Sequence, residues 1–288
     1  MSRVVARSVP IPGDDPSVFD GSALDDHALA ADLAQRAGEL LLELRAQDGA
    51  FDDPKALRDA GDRQSHEFLM AELAKARPDD AVLSEEGLDD KARLSADRVW
   101  IVDPLDGTRE FGEEGRDDWA VHVALWERSA NNGEGDLTVG AVALPAQGRV
   151  LATRGSTVGS HGAGTSPAEP GAERPLRMVV SRSRASELVK AVAARVNAEL
   201  VPCGSAGVKA STVILGVNDA YLHSGGFYEW DTAAPVAVAR ENGLHVSRIN
   251  GSPVRYNQED PLLPDILVCR FAIADQLLDA IREATHAI

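Results

Sequence analysis

The sequence predicts a layered α/β or α+β protein. Two patterns predict it: apolar–polar alternation over a block of the first half, and short apolar runs alternating with helix-period stretches in the second half. A sheet with one apolar face must be covered, and helices interleaved with strands supply the cover. With 288 residues, 44 % of them hydrophobic, the chain can bury a sizeable core.

Residues 1–22 read as an N-terminal extension, with no apolar core or cleavage pattern that would make a signal peptide. Residues 24–47, "LDDHALAADLAQRAGELLLELRAQ", space Leu and Ala as one helical face. "FDDPKALRDAG" (51–61) reads as a loop, and "DRQSHEFLMAELAKARP" as a helix opened by Asp62 and ended near Pro78. "AVLSEEG" (81–87) and "RVWIVDP" (98–104) are strands. "WAVHVALWER", "LTVGAVALPA" and "GRVLATRG" alternate as antiparallel strands do.

The Gly-, Ser- and Pro-rich stretch 155–175 marks the expected seam between an N-terminal α+β subdomain (23–165) and a C-terminal α/β subdomain (166–288). Beyond it strands are expected at "LRMVVS", "AELVPCG", "DAYLHSG", "LHVSRI" and "DILVCR". Helices are expected at "ASELVKAVAARV", "SAGVKASTVILG" and "DTAAPVAVARENG", and from 274 to the end.

A net charge of −17 argues against nucleic-acid polymers and anionic membranes as partners, because both require a basic face. No apolar run reaches the roughly 18 residues of a membrane span. Cys203 and Cys269 form no metal-spacing motif and read as free thiols of a reducing, cytoplasmic compartment. If the ligand is an anion, this acidic chain needs cations loaded among its acids to hold it.

Four acidic positions fall where strands end or helices begin: Asp62, the Glu85–Glu86 pair, Asp103 with Asp106, and Asp231. Each has a plain alternative, as a helix cap for Asp62 and Asp231 or as a solvated loop acid for Glu85 and Glu86. Together they outline a site of the kind built at strand ends. Oxygen ligands without a paired His or Cys favour Mg²⁺ or Mn²⁺. In "DPLDGT" the turn can gather the Asp103 and Asp106 carboxylates and the Leu105 carbonyl. Gly107 admits an anion close to the backbone, and Thr108 offers a hydroxyl to a water. Such a site suits phosphate-ester hydrolysis by metal-activated water.

"SEEG", "WIVDPLDGTREF" and "EWDTAAPVAVARENG", in this order, resemble the inositol monophosphatase superfamily of Mg²⁺-dependent, lithium-sensitive phosphatases. The resemblance implies an α-β-α-β-α layered sandwich and, by family habit, a homodimer. It implies Glu85, Asp103, the Leu105 carbonyl, Asp106 and Asp231 as metal ligands, with Asp62 serving a further metal or its water. Asp62, Glu85 and Thr108 would be catalytic, and the Gly107 and Thr108 amides would hold the phosphate. Asp59 stands where relatives commonly have Thr, a departure that bears on Thr108 and the third metal.

"CGSAGVKAS" (203–211) resembles the Gly-x-Ala-Gly-x-Lys stretch of bisphosphate nucleotidases, which remove the 3′-phosphate of 3′-phosphoadenosine 5′-phosphate, the by-product of sulfate activation. It places Gly204, Ser205, Ala206 and Lys209 at the substrate together with Asp231, Lys209 being suited to a second phosphate. Ser224 occupies the position where inositol-selective members carry Glu. The alternatives are an inositol-1-phosphate or fructose-1,6-bisphosphate phosphatase, and a non-catalytic metal or nucleotide sensor. His66, His122 and His223 read as structural, Arg182 and Arg184 as possible phosphate contacts, and Trp230 as packing beneath Asp231.

Overall fold

In a computed structural model of the protein, helices and sheets alternate in five layers. Residues 23–155, 157–158, 174–183 and 185–287 are described. The extension 1–22 and most of the expected seam lie outside them. Helices α1 (Asp26–Arg45) and α2 (Pro54–Ala76) cover one face of a six-stranded sheet. Its strands run in spatial order β1 (Ala81–Ser84), β2 (Arg98–Asp106), β3 (Ala120–Glu127), β4 (Asp136–Leu144), β5 (Arg149–Ala152) and β6 (Thr157–Val158). The β1–β2 pair is parallel and the rest are antiparallel.

The second sheet contains β7 (Leu176–Ser181), β8 (Ala198–Cys203), β9 (Ala220–Tyr228), β10 (His245–Ser247) and β11 (Leu262–Cys269), in the order β10-β11-β9-β7-β8. Helices α5 (Ala206–Ile214) and α6 (Glu229–Glu241) fill the space between the sheets, and α4 (Glu187–Arg195) and α7 (Ala274–Ala287) cover the outer face. The layering is therefore the α-β-α-β-α sandwich expected from the resemblance.

Three apolar cores follow from the period-two alternation of the strands. On β2, Trp100 and Val102 face α1 and α2, while Val99 and Ile101 face α5 and α6. The outer core joins Met178, Leu222 and Leu267 to α4 and α7. Each fully buried Val, Leu or Ile contributes about 1.5–3 kcal/mol, so these interleaved cores hold both sheets rigidly around the layer between them.

Several elements depart from the sequence reading. Residues 54–61 are helical. Asp53 caps the helix, accepting from the amides of Lys55 at 3.1 Å and Ala56 at 3.0 Å, and Pro54 in the first turn supplies a φ already suited to a helix. Asp62 consequently lies within α2 and does not cap it. Helix α6 begins at Glu229, two residues before Asp231. The last strand is longer than "DILVCR" and the "LHVSRI" strand shorter. Among the described residues no helix is long and apolar enough to cross a membrane. Cys203 and Cys269 are both free.

Candidate active site

The site is assembled at the end of β2. Asp103 pairs with His122 across the β2–β3 ladder and Asp106 with Ala120, so three steps on one strand oppose two on the other. Residues three apart in a regular strand face opposite sides; the irregularity around Pro104 restores Asp103 and Asp106 to one side. That side looks into the middle layer. Gly107 follows at φ +88°, a left-handed turn that glycine adopts without strain, and leads into the one-turn helix α3 (Thr108–Phe111). The segment is anchored from behind by α2, where Ser65 donates to the Pro104 carbonyl at 2.7 Å.

The helices of the middle layer bring their first turns to the same point. Asp231 sits in the first turn of α6, its carboxylate accepting from the Tyr228 amide at 2.6 Å. One carboxylate oxygen from each of Asp103, Asp106 and Asp231 comes within 4.8 Å of the others. Asp106 also accepts from the first turn of α5: Ser205 Oγ at 2.5 Å, the Ala206 amide at 3.1 Å and the Gly207 amide at 2.6 Å.

Glu85 stands beside this group on the turn after β1, exposed along its rim yet close enough for its charge to act on Asp103. Asp62 approaches from α2: Thr108 Oγ1 lies 3.3 Å from Asp62 Oδ1 and 3.1 Å from the Leu105 carbonyl, and its single proton serves one of them at a time.

The acids titrate far from their ordinary values. Burial, then the charges of Glu85, Asp106 and Asp231, push Asp103 well up. Burial and the Asp231 charge raise Glu85 to about 8. Burial and the Asp106 charge raise Asp231 to about 6. Asp62 is raised to about 7, by burial and then the charge of Glu86. Asp106 goes the other way: burial raises it, but the hydrogen bond and charge of His122, the charge of Lys209 and the Ser205 hydroxyl outweigh that and hold it at about 2.

A cation fits this donor set. Asp103 Oδ2 is buried and accepts no hydrogen bond from any described residue, and such an atom is costly when charged unless something positive meets it. The donors are all oxygens, as hard divalent cations prefer.

A profile of the inositol monophosphatase family matches residues 25–286. This chain belongs to that family. It is 52 % identical over 263 residues to the 3′-phosphoadenosine 5′-phosphate phosphatase of Mycobacterium leprae, covering 90 % of this chain and 94 % of that protein. It is 54 % identical over 248 residues to the protein of the same name from Mycobacterium tuberculosis, covering 86 % and 90 %. Among solved structures, CysQ of Bacteroides thetaiotaomicron, a bacterial member of the inositol monophosphatase family, superposes with a TM-score of 0.68 at 30 % identity, covering 86 % of this chain and 98 % of that one. Members of this family are metal-dependent phosphatases.

Asp106 and Asp231 of this family member line a cleft of about 240 Å³, together with Thr108, Ser205 and Lys209. Lys209 reaches the cleft wall, as its position in the motif suggests, but its ammonium is turned inward. It donates to the carbonyls of Gly204 and Ser205, the latter at 2.8 Å, and lies over the Tyr221 ring. The side chain is 3 % exposed. Ser205 is likewise engaged, donating to Asp106 and accepting from the Val208 amide.

Arg182 is held by Glu110 at 2.7 Å and by Glu113 at 2.9 Å, and Arg184 lies outside the described residues. Trp230 stacks on Tyr228 with ring centroids 4.7 Å apart.

His122 is structural, and its contacts reach the site. Fully buried, it donates through Nδ1 to the Trp230 carbonyl at 3.1 Å and sets Nε2 3.3 Å from Asp106 Oδ2. The signal available in "WAVHVALWER" was a polar residue at a position where alternation demands an inward-facing apolar one.

Proposed function

We propose that the protein is a Mg²⁺-dependent phosphatase that removes the 3′-phosphate of 3′-phosphoadenosine 5′-phosphate. The observation that carries the chemistry is the convergence of one carboxylate oxygen each from Asp103, Asp106 and Asp231 within 4.8 Å of one another, with Asp103 Oδ2 accepting from no described residue. The substrate is supported by more than half identity to two proteins bearing that activity in their names. Ser224, in place of the glutamate of inositol-selective members, supports it too: its hydroxyl is paired with Ser186 at 2.7 Å.

In this reading Glu85, Asp103, the Leu105 carbonyl, Asp106 and Asp231 hold the cations, and Asp62 serves a further one. When bound, the cations neutralise the ester and make a water acidic enough to attack. The attacking oxygen bonds to phosphorus as the bond to the ester oxygen breaks; the leaving oxygen takes a proton from solvent, and the alcohol and inorganic phosphate are released. Asp62, which Thr108 Oγ1 reaches at 3.3 Å, accepts the proton of the attacking water, and Thr108, also within 3.1 Å of the Leu105 carbonyl, orients that water toward it. The Gly107 and Thr108 amides face the phosphate. Lithium inhibition, a homodimer and a cytoplasmic location belong to the same proposal.

The test is phosphate release from 3′-phosphoadenosine 5′-phosphate, inositol 1-phosphate and fructose 1,6-bisphosphate with Mg²⁺. Turnover fastest on the nucleotide is expected. A nucleotide hydrolysed no better than inositol 1-phosphate rejects the proposed substrate, and turnover of none rejects the enzyme.

A further inference from the structure

Two hollows meet beside the acids. The first is the cleft described above; the second, about 430 Å³, shares Arg109, Glu110, Ser181 and Gly204 with it. The cationic side chains around this junction are nearly all engaged. Lys209 is turned onto backbone carbonyls, Arg182 onto Glu110 and Glu113, and Arg116 onto Asp118. Arg109 differs. It is exposed, lines both hollows, and directly follows Thr108. Its charge is felt at Glu113, yet it makes no hydrogen bond or ion pair with any described residue.

We propose that Arg109 reads a second anionic group of the substrate, making it the residue that selects bisphosphate esters over monophosphates in place of Lys209. The inference rests on the phosphatase reading above. With the scissile phosphate at Asp103, Asp106 and Asp231, a second phosphate extending along the cleft toward the junction meets a guanidinium whose fork matches two phosphate oxygens. On a chain of net charge −17 a second phosphate is otherwise repelled, so one uncommitted arginine discriminates strongly.

The experiment compares the full-length wild type with Arg109→Ala and Arg109→Lys at saturating Mg²⁺. kcat/KM is measured for 3′-phosphoadenosine 5′-phosphate and for adenosine 3′-monophosphate. Arg109→Ala is expected to lose about tenfold to a hundredfold on the bisphosphate, mainly through KM, the size of one charge-assisted contact. The monophosphate value should change far less, and Arg109→Lys should recover part of the loss. Binding of adenosine 5′-phosphate, followed by calorimetry without turnover, should weaken in parallel while the melting temperature stays put. A wild-type preference for the bisphosphate that survives Arg109→Ala overturns the inference alone. A wild type equally fast on both esters overturns the substrate reading and the inference with it.

Discussion

His122 Nε2 lies 3.3 Å from Asp106 Oδ2, and it has room there only because residue 207 has no side chain: a Cβ on Gly207 would overlap the His122 ring. The imidazole thus joins three elements, β3 that carries it, β2 through Asp106, and α6 through the Trp230 carbonyl. Gly207→Ala should therefore destabilise the protein by about 1–3 kcal/mol, as overpacking does. In the His122→Ala background the added methyl has space. The double variant should lose less than the sum of the two singles, by at least about 0.5 kcal/mol. Urea denaturation of the four proteins measures this, and additive losses would disprove the contact.

The two aspartates of "DPLD" should behave oppositely when neutralised. Asp106 accepts three hydrogen bonds from the start of α5 and is held at about 2, so its charge stabilises the fold. That contribution is present above an ordinary carboxyl value and lost as pH falls through about 2. Asp103 is pushed well up and its Oδ2 accepts from no described residue, so its charge destabilises the cation-free fold. Asp106→Asn should lower the cation-free melting temperature, at about 1–3 kcal/mol for disrupted buried partners, while Asp103→Asn should raise it. Both should reduce turnover by more than about a thousandfold, each removing a charged cation ligand. Calorimetry in EDTA separates them, and shifts of the same sign would contradict the assignment.

Stability without cations should fall as pH rises. Glu85 and Asp231 move from ordinary values of 4.5 and 3.8 to about 8 and about 6 in the fold, burial and then the charge of Asp231 on Glu85 and of Asp106 on Asp231 favouring their neutral forms. Between those limits the native state binds more protons than the unfolded chain, so the contribution is full below about 4 and lost through about 8. Cations reverse the trend, because ligands must be deprotonated to bind them. The Mg²⁺-induced rise in melting temperature should be larger at pH 8 than at pH 6, the underlying stabilisation reaching about 2.7 kcal/mol at a hundredfold excess over Kd. Thermal scans at the two pH values, with and without Mg²⁺, decide it.

The layers and the acids were legible because both leave local signatures. Alternation along 119–155 specifies strands, and "VWIVDPLDGT" joins a buried strand to acids that no surface would place there. What stayed hidden depends on who faces whom. The helical start at Pro54 was obscured by a cluster of turn-forming residues whose Asp53 proved to be a cap. The inward turn of Lys209 depends on two carbonyls of the preceding turn, and His122 on a register shift between β2 and β3. None of these leaves a spacing in the chain.

Arg93 ties the two outermost acid-bearing segments together. Only 1 % exposed, it donates to Asp89 at 2.6 Å, Asn257 Oδ1 at 2.7 Å and the Gln258 carbonyl at 2.8 Å. Asp89 lies on the stretch that follows Glu85. The amides of Asn257 and Gln258 in turn donate to Glu229, at 2.6 and 2.8 Å, in the first turn of α6 beside Asp231. One guanidinium therefore bears on the separation of Glu85 and Asp231. Lysine cannot reproduce a fork of this shape, so Arg93→Lys should cost about 1–3 kcal/mol. It should also raise the Mg²⁺ concentration for half-maximal activity several-fold, while kcat at saturating Mg²⁺ stays within about twofold, because the loosened segments can still be drawn together by the cation. Mg²⁺ titrations of activity well below the melting temperature test this, with Mn²⁺ binding followed by electron paramagnetic resonance as a readout independent of turnover. A folded Arg93→Lys enzyme with unchanged cation affinity would confine the network to holding the fold.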